Sequence, residues 1–357
     1  MVASTKPWRE SALFVKTAPR GFGEKHLNGS NSMKLLVTGA GGFIGSHVVE
    51  LLLQHGHSVL ALVHYNSLGR WGHLEAFARQ PHTRLQVIAG DVADSRCVEE
   101  AVAGCDVVLH LAALIGIPYS YHAPESYVST NIRGTLNVLE ACRKLKTRRL
   151  VVTSTSEVYG TAMYTPIDEK HPLQGQSPYS ATKIGADKLA ESYFRSFELP
   201  VVTLRPFNTY GLRQSARAVI PTILSQALSG AEEIHLGSLE PKRDLTFVED
   251  TALAFLLGAE AVGIEGETIH FGQGEAVSVG DLAQRCLEIV GSAARIVTQA
   301  ERQRPERSEV GLLLCDPSKA KELLKWSPRV SLKEGLSRTA DYIREHLNDY
   351  RTKEYVV

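Results

Sequence analysis

From Met33 onward the chain alternates two kinds of segment. Six apolar runs of strand length, "KLLVTG", "SVLALV", "LQVIAG", "DVVLHLAA", "RLVVTST" and "VVTLRP", are separated by amphipathic stretches of helix length. Runs rich in Val, Ile and Leu suit strands covered on both faces, and the stretches between them suit crossover helices. The pattern predicts an α/β protein whose βαβ units build a doubly wound parallel sheet with helices on both sides. The last run ends near Arg205-Pro206. Beyond about Asn208, short loops and helices with Gly and Pro punctuation ("LGSLEPKRDLTF", "QRPERSEV", "WSPRV") predict a smaller mixed lobe woven onto the first. Within it, "ETIHFG" is a candidate strand for the main sheet.

Residues 1–32, ending in "NGSNS", fall outside this alternation. They read either as a flexible extension outside the fold or as an arm that covers a neighbouring subunit.

Composition narrows the function. Lys+Arg and Asp+Glu both total 39 in 357 residues, so no global positive field draws nucleic acid to the surface. The 43% hydrophobic content supports a sizeable core. No apolar run reaches the roughly 18 residues of a membrane span, and the N-terminus lacks the apolar middle of a signal peptide. Cys97, Cys105, Cys142, Cys286 and Cys315 are scattered, odd in number and without metal-ligand spacing, which predicts reduced thiols in a cytoplasmic protein and no metal site.

The first strand runs into "VTGAGGFIGSH", with Gly39, Gly42 and Gly45 spaced G-x-x-G-x-x-G at the start of a helix. Glycines there let the main chain turn tightly and approach a pyrophosphate, whose charge the helix N-terminus stabilises. Phe43 and Ile44 sit inside the same loop. After the third strand, "GDVAD" offers Asp91 as an adenine contact, with Val92 beside it. After the fourth, Leu111 and the small residues Ala112 and Ala113 let a cofactor lie against the backbone, and Asn131 is a further candidate contact. The acid that usually bonds the ribose hydroxyls at the end of the second strand is missing: the chain reads "ALVHYNSLGR". Asn66 and Ser67 suit either ribose, and Arg70 suits a 2'-phosphate, so the choice between NAD and NADP stays open. These features make residues 33–207 the dinucleotide-binding domain and 208–357 the lobe that takes the other ligand.

"YSATK" places Tyr179 and Lys183 four residues apart, on one face of a helix. An ammonium and an oxidised nicotinamide both favour phenolate, which makes Tyr179 a base for an alcohol proton. Upstream, "TSTSEVYG" presents Thr155, Ser156 and Glu157 directly after a strand. Ser156 and Glu157 also fit a helix N-terminal cap pair.

On these residues the chain resembles the extended short-chain dehydrogenase/reductase superfamily, in its NAD-dependent epimerase/dehydratase branch. The resemblance runs from Met33 to about Tyr342. It rests on the glycine motif, Thr155/Tyr179/Lys183, "RPFNTYG", "RDLTFVED" and "RPE". It implies a Rossmann-type fold, NAD, a nucleotide-sugar substrate, and Asn208, Arg243 and Arg304 as diphosphate holders, a task that guanidinium forks suit. It also implies a homodimer through a four-helix bundle formed by the helices within Asn131–Leu145 and Tyr179–Phe197. The stretches "YNSLGRWGHLE", "LAALIGIPYSYHAPESY" and "NTYGLRQSARAVIPTIL" are similar to dehydratases of nucleotide-linked N-acetylglucosamine, including legionaminic-acid pathway members. Ile117 and Tyr119, within that second stretch, are expected at the substrate. The Ser-Glu pair after Thr155 is shared with uronate decarboxylases, for which Arg217 would meet a sugar carboxylate. The implied activity is a 4,6-dehydratase acting on a UDP- or GDP-linked sugar, with decarboxylation, release of a 5,6-ene, epimerisation and a non-catalytic dinucleotide-binding protein as the other readings.

Overall fold

The computed structural model describes residues 32–79 and 82–350, so the N-terminal segment just discussed lies almost entirely outside the described residues. The six apolar runs form β1 (Lys34–Thr38), β2 (Ser58–His64), β3 (Leu85–Gly90), β4 (Val107–His110), β5 (Arg149–Thr153) and β6 (Val201–Pro206). They lie in the order β3-β2-β1-β4-β5-β6, all parallel, with Leu35 paired to Val59 on one side and Val107 on the other. Strand Thr268–Phe271, from "ETIHFG", completes the seven-stranded sheet by pairing parallel to β6.

Both faces are covered. Leu35, Val37, Val107 and Leu109 pack with Val48, Leu52 and Phe255 on one side. Leu36, Val108 and Leu150 pack with Val98, Val138 and Ala190 on the other. Burial on both faces is why these strands read as continuous apolar runs rather than alternating ones. A third cluster, including Ile220, Leu224, Phe247 and Leu336, is the core of the C-terminal lobe.

That lobe is organised by strand Lys242–Phe247, which pairs parallel with Asn208–Tyr210, antiparallel with Ala276–Ser278 and parallel with Leu312–Leu313. Arg213, just beyond Asn208–Tyr210, donates to Ser46 and Glu50 on helix Phe43–Gln54 and ties the lobe to the first helix.

Two segments depart from the sequence pattern for local reasons. The run "DVVLHLAA" stays in the sheet only to His110, because the Thr38 hydroxyl accepts the N–H groups of Leu111 and Ala112, each at 3.1 Å, and draws the chain out as a loop. The helix expected from Asn131 starts as a wider π turn, Val128–Arg133, before α-helix Gly134–Leu145.

Because β1, β4, β5 and β6 are parallel, the segments after Thr38, His110, Thr153 and Pro206 emerge at one edge. That edge is where open α/β sheets bind ligands.

Candidate active site

Gly39 turns with φ +68°, and a side chain there would place its Cβ 2.8 Å from the Ala112 backbone nitrogen. At Gly45 an added Cβ would strike the Gly39 carbonyl oxygen. Backbone therefore packs on backbone through the loop, and any Cβ would fill the cradle. Helix Phe43–Gln54 begins after Gly42 without a side-chain cap, so its first N–H groups and its positive end suit an anion. Phe43 and Ile44 flank that end half-buried. The segment that carries Trp71, within "YNSLGRWGHLE", closes on the other side, where His73 N–H donates to the Gly41 carbonyl at 3.0 Å. These features fit a dinucleotide pyrophosphate.

A neutral histidine holds the facing loop. Thr38 Oγ1 accepts the N–H groups of Leu111 and Ala112, so its own proton goes to His110 Nδ1 at 2.9 Å. His110 Nε2 then donates to Thr135 Oγ1, whose proton goes to the Asn131 carbonyl. The network admits only the Nε2–H tautomer. Burial, with Lys183 nearby, pushes the His110 pKa down to about 3. Asn131, expected to touch the cofactor, has its amide committed to the Leu114 main chain and Thr182, so it shapes the loop carrying Leu111, Ala112 and Ala113.

At the end of β2, the Asn66 side chain is likewise used locally: it accepts from Leu68 and Arg70 N–H and donates to the His64 and Arg70 carbonyls. Asn66 thus builds the turn that presents exposed Ser67 and Arg70. Asp91 is exposed and accepts from Ala93 N–H, and Val92 is buried against Gly134.

The catalytic candidates come together from two elements. Ser177 caps helix Pro178–Phe197 in a reciprocal capping box with Ser180, and Pro178 opens the first turn. This fixes Tyr179 at the helix start, with Lys183 one turn on. Lys183 Nζ donates to the Thr153 carbonyl at 2.6 Å. Thr155, not the Ser156-Glu157 pair, caps the 3-10 turn Ser156–Tyr159, accepting from Glu157 N–H at 3.2 Å. The cap reading of Ser156 and Glu157 is therefore corrected, because the strand delivers the Thr155 hydroxyl to the capping position first. Ser156 is buried and Glu157 half-buried. Burial pushes the Tyr179 phenol well up, the Thr155 hydroxyl pulls it back, and the charges of Glu157 and Asp187 raise it again.

On the substrate side, strand Lys242–Phe247 gathers the lobe's candidates. It carries Arg243, aligns Asn208 opposite Leu245, and lies beside the segment that contains Glu309 and Val310. Arg243 donates to the Val310 carbonyl at 2.7 Å and to the Glu309 carboxylate at 3.2 Å. Arg304 approaches the same carboxylate at 3.6 Å. Burial lowers the Arg243 pKa, while the charges of Glu157 and Glu309 hold it up. Arg304 Nη1 and Asn208 Oδ1 are buried without a hydrogen-bond partner among the described residues, which leaves each able to meet a polar ligand. Ile117 is buried against Tyr127 and Tyr179, and Tyr119 is 41% exposed with its ring 6.2 Å from that of Tyr127. Exposed Arg217 bonds Ser215 through Nε, and its Nη1 is 3.4 Å from where a Cβ on Gly116 would stand.

Sequence reasoning passed over Glu309, Asp187 and Tyr127. Only Asp187 had a signal to find it, since Tyr179, Lys183 and Asp187 are spaced four apart. Among the described residues no helix is long and apolar enough to cross a membrane, and no cluster of His, Cys, Asp or Glu could hold a metal ion.

The sequence model of the family described as GDP-mannose 4,6 dehydratase matches residues 36–339. A dTDP-glucose 4,6-dehydratase of an Actinoplanes species is 33% identical over 320 residues, covering 87% of this chain and 98% of the relative. Among solved structures, the UDP-glucuronic acid 4-epimerase of Bacillus cereus, in complex with UDP-glucuronic acid and NAD, superposes with TM-score 0.81 at 32% identity, covering 88% of this chain and all of that one. The dTDP-glucose 4,6-dehydratase of Streptomyces venezuelae, with NAD bound, gives TM-score 0.80 at 29% identity over 89% of this chain and 99% of that one.

Proposed function

The chain belongs to the GDP-mannose 4,6-dehydratase family of extended short-chain dehydrogenases/reductases, and within it we propose a 4,6-dehydratase acting on nucleotide-linked N-acetylglucosamine. The family's nucleotide-sugar enzymes are NAD-dependent, and the glycine cradle fits NAD. When bound, NAD supplies the reversible oxidation of the sugar, outward at C4 and back at C6.

The chain's own groups do the rest. Tyr179, with Lys183 and Thr155 beside it, takes the proton of the 4-hydroxyl as C4 becomes a ketone. That ketone acidifies the neighbouring C5–H bond, and Glu157 removes its proton. The C6 hydroxyl then departs with a proton as water, Ser156 holding that hydroxyl or passing it the proton. Reduction at C6 and reprotonation at C5 leave a 4-keto-6-deoxy sugar, with one water lost overall. Arg243, Arg304 and Asn208 hold the diphosphate, and Tyr119 and Ile117 line the sugar.

The observation that carries this reading is Glu157. It is half-buried, and its charge is felt by both Tyr179 and Arg243, between the proposed base and the proposed phosphate holder. An epimerase that only oxidises and reduces C4 has no task for such a carboxylate. One observation favours a second reading: exposed Arg217 beside Gly116 could receive a uronate carboxylate, as a decarboxylase requires.

Incubation in D2O with NAD and UDP-N-acetylglucosamine, GDP-N-acetylglucosamine or UDP-glucuronate, followed by mass spectrometry, separates the two. The dehydratase loses water and retains one deuterium at C5. Loss of CO2 from the uronate alone would sink the dehydratase and make Arg217 the residue to follow. The same reading makes the protein a homodimer through helices Gly134–Leu145 and Pro178–Phe197, which support it by leaving Leu145 and Phe197 exposed. A monomer mass in light scattering would remove the dimer.

A further inference from the structure

Beneath the catalytic helix lies a buried ion pair that the chemistry above does not use. Tyr179, Lys183 and Asp187 fall at i, i+4 and i+8 of helix Pro178–Phe197, on one face. Asp187 Oδ2 accepts from Ser154 Oγ at 2.6 Å and from the Arg205 guanidinium at 2.6 Å, while Arg205 Nε donates to Ser154 Oγ at 3.2 Å. All three residues are buried, with Asp187 only 6% exposed. The guanidinium also donates to Tyr159, whose hydroxyl meets His270 Nε2 at 2.5 Å. One carboxylate thus joins the catalytic helix, the residue before Thr155 and the start of the "RPFNTYG" segment.

A buried ion pair is weak evidence for stability, since desolvation offsets most of the attraction. Its geometry here says more. Asp187 Oδ1 is buried and has no hydrogen-bond partner among the described residues. One carboxylate oxygen is therefore open to the field of its neighbours, one helical turn from an ammonium that donates to the Thr153 carbonyl.

We propose that Asp187 is a positioning residue that sets the working pH of the Tyr179–Lys183 pair, as the buried counter-charge that keeps Lys183 protonated and Arg205 neutralised. The proposal rests on the reading of Tyr179 as the base. The groups around the pair are Asp187 on its own helix, Glu157 and Thr155 on the 3-10 turn, Arg205 on β6, His110 on β4 and Tyr127 on the neighbouring helical segment. Their directions agree with the assignment. Burial lowers Lys183, Asp187 raises it and Arg205 lowers it. His110 is neutral in its hydrogen-bond network and adds no charge.

Signs follow from these charges. In Asp187→Asn, Lys183 loses the group that favours its ammonium and faces an uncompensated Arg205, so it gives up its proton at lower pH. Tyr179 loses a negative neighbour, so its phenolate also forms at lower pH. Both limbs of the kcat/KM profile move to the acid side by at least about one unit, the size of effect a close charge exerts. In Asp187→Asn/Arg205→Met the extra positive charge is gone as well, and the limb that reports Lys183 moves back.

The test pairs two readouts on the full chain with NAD. One is the pH profile of turnover of UDP-N-acetylglucosamine. The other needs no substrate: the titration midpoint of Lys183 by NMR of carbon-13-labelled lysine, assigned with Lys183→Arg. A lower midpoint in Asp187→Asn that recovers in the double variant supports the proposal. It does so even if the sugar is not turned over, in which case the dehydratase reading fails alone. An unchanged Lys183 midpoint in Asp187→Asn, with activity lost equally at every pH, would make Asp187 a structural residue. Should Asp187→Asn fail to fold, Asp187→Glu and the double variant decide: the proposal requires the wild-type midpoint in the first, and a different one there would overturn it.

Discussion

The core of the proposed cofactor side, around the glycine loop, is assembled from main chain and uncharged side chains, the proposed substrate side from guanidinium and carboxylate groups. Around the glycine loop the polar atoms satisfy one another: Thr38, His110 and Thr135 form a closed chain with the Leu111, Ala112 and Asn131 backbones. Around Arg243 they do not. Glu309 lies beside two arginines, yet at 3.6 Å it gives Arg304 Nη1 no hydrogen bond, and among the described residues neither that atom nor Asn208 Oδ1, both buried, has a hydrogen-bond partner. A backbone-built site is finished before its ligand arrives, because moving it means moving the fold. A site of charged side chains keeps its shape by internal pairing that a more highly charged ligand can replace.

This difference makes Gly45→Ala the most damaging change. Its Cβ meets the Gly39 carbonyl oxygen and, at 3.0 Å, Ala40 Cα, both main-chain atoms that cannot swing aside. Overpacking of this kind costs about 1–3 kcal/mol, read as a lower melting temperature. Where the NAD-bound loop must bear that strain in full, NAD affinity falls by about 5- to 150-fold, since each 1.4 kcal/mol is a decade in Kd. Wild-type NAD affinity and stability in this variant would show that the cradle is not the binding site.

The same contrast explains what could be read from the sequence. The six strands and the glycine loop were legible because strand, turn and helix are contiguous and both faces of the sheet are buried. Tyr179 and Lys183 were legible because four residues on a helix is one face. Glu309 was not, because its meeting with Arg243 depends on strand Leu312–Leu313 pairing in parallel with Lys242–Phe247, a partnership about seventy residues apart that no local pattern encodes. The Asn66 side chain was read as a ribose ligand because its type suits one. Only the turn shows its amide already spent on His64 and Arg70. Asp187 carried a signal in its four-residue spacing from Lys183, but nothing local marks it as buried, because its partner Arg205 lies on β6 and not on its own helix.

The smaller effects belong to the substrate side, and there two variants should move binding in opposite directions. Arg243→Ala removes a guanidinium that can bond a diphosphate, a charged hydrogen bond of about 1.5–3 kcal/mol, so UDP binds roughly 10- to 100-fold more weakly and KM rises more than kcat falls. Glu309→Gln keeps shape but discards the charge that competes for Arg243 and Arg304. UDP should then bind about two- to tenfold more tightly, a gain of at most about 1.4 kcal/mol, because exposed or half-exposed ion pairs are individually weak. Calorimetric titration of UDP into both variants checks the pair of signs. Weaker binding in Glu309→Gln would mean that the carboxylate holds the arginines in place for the ligand, and the substrate side would then be as preformed as the glycine loop.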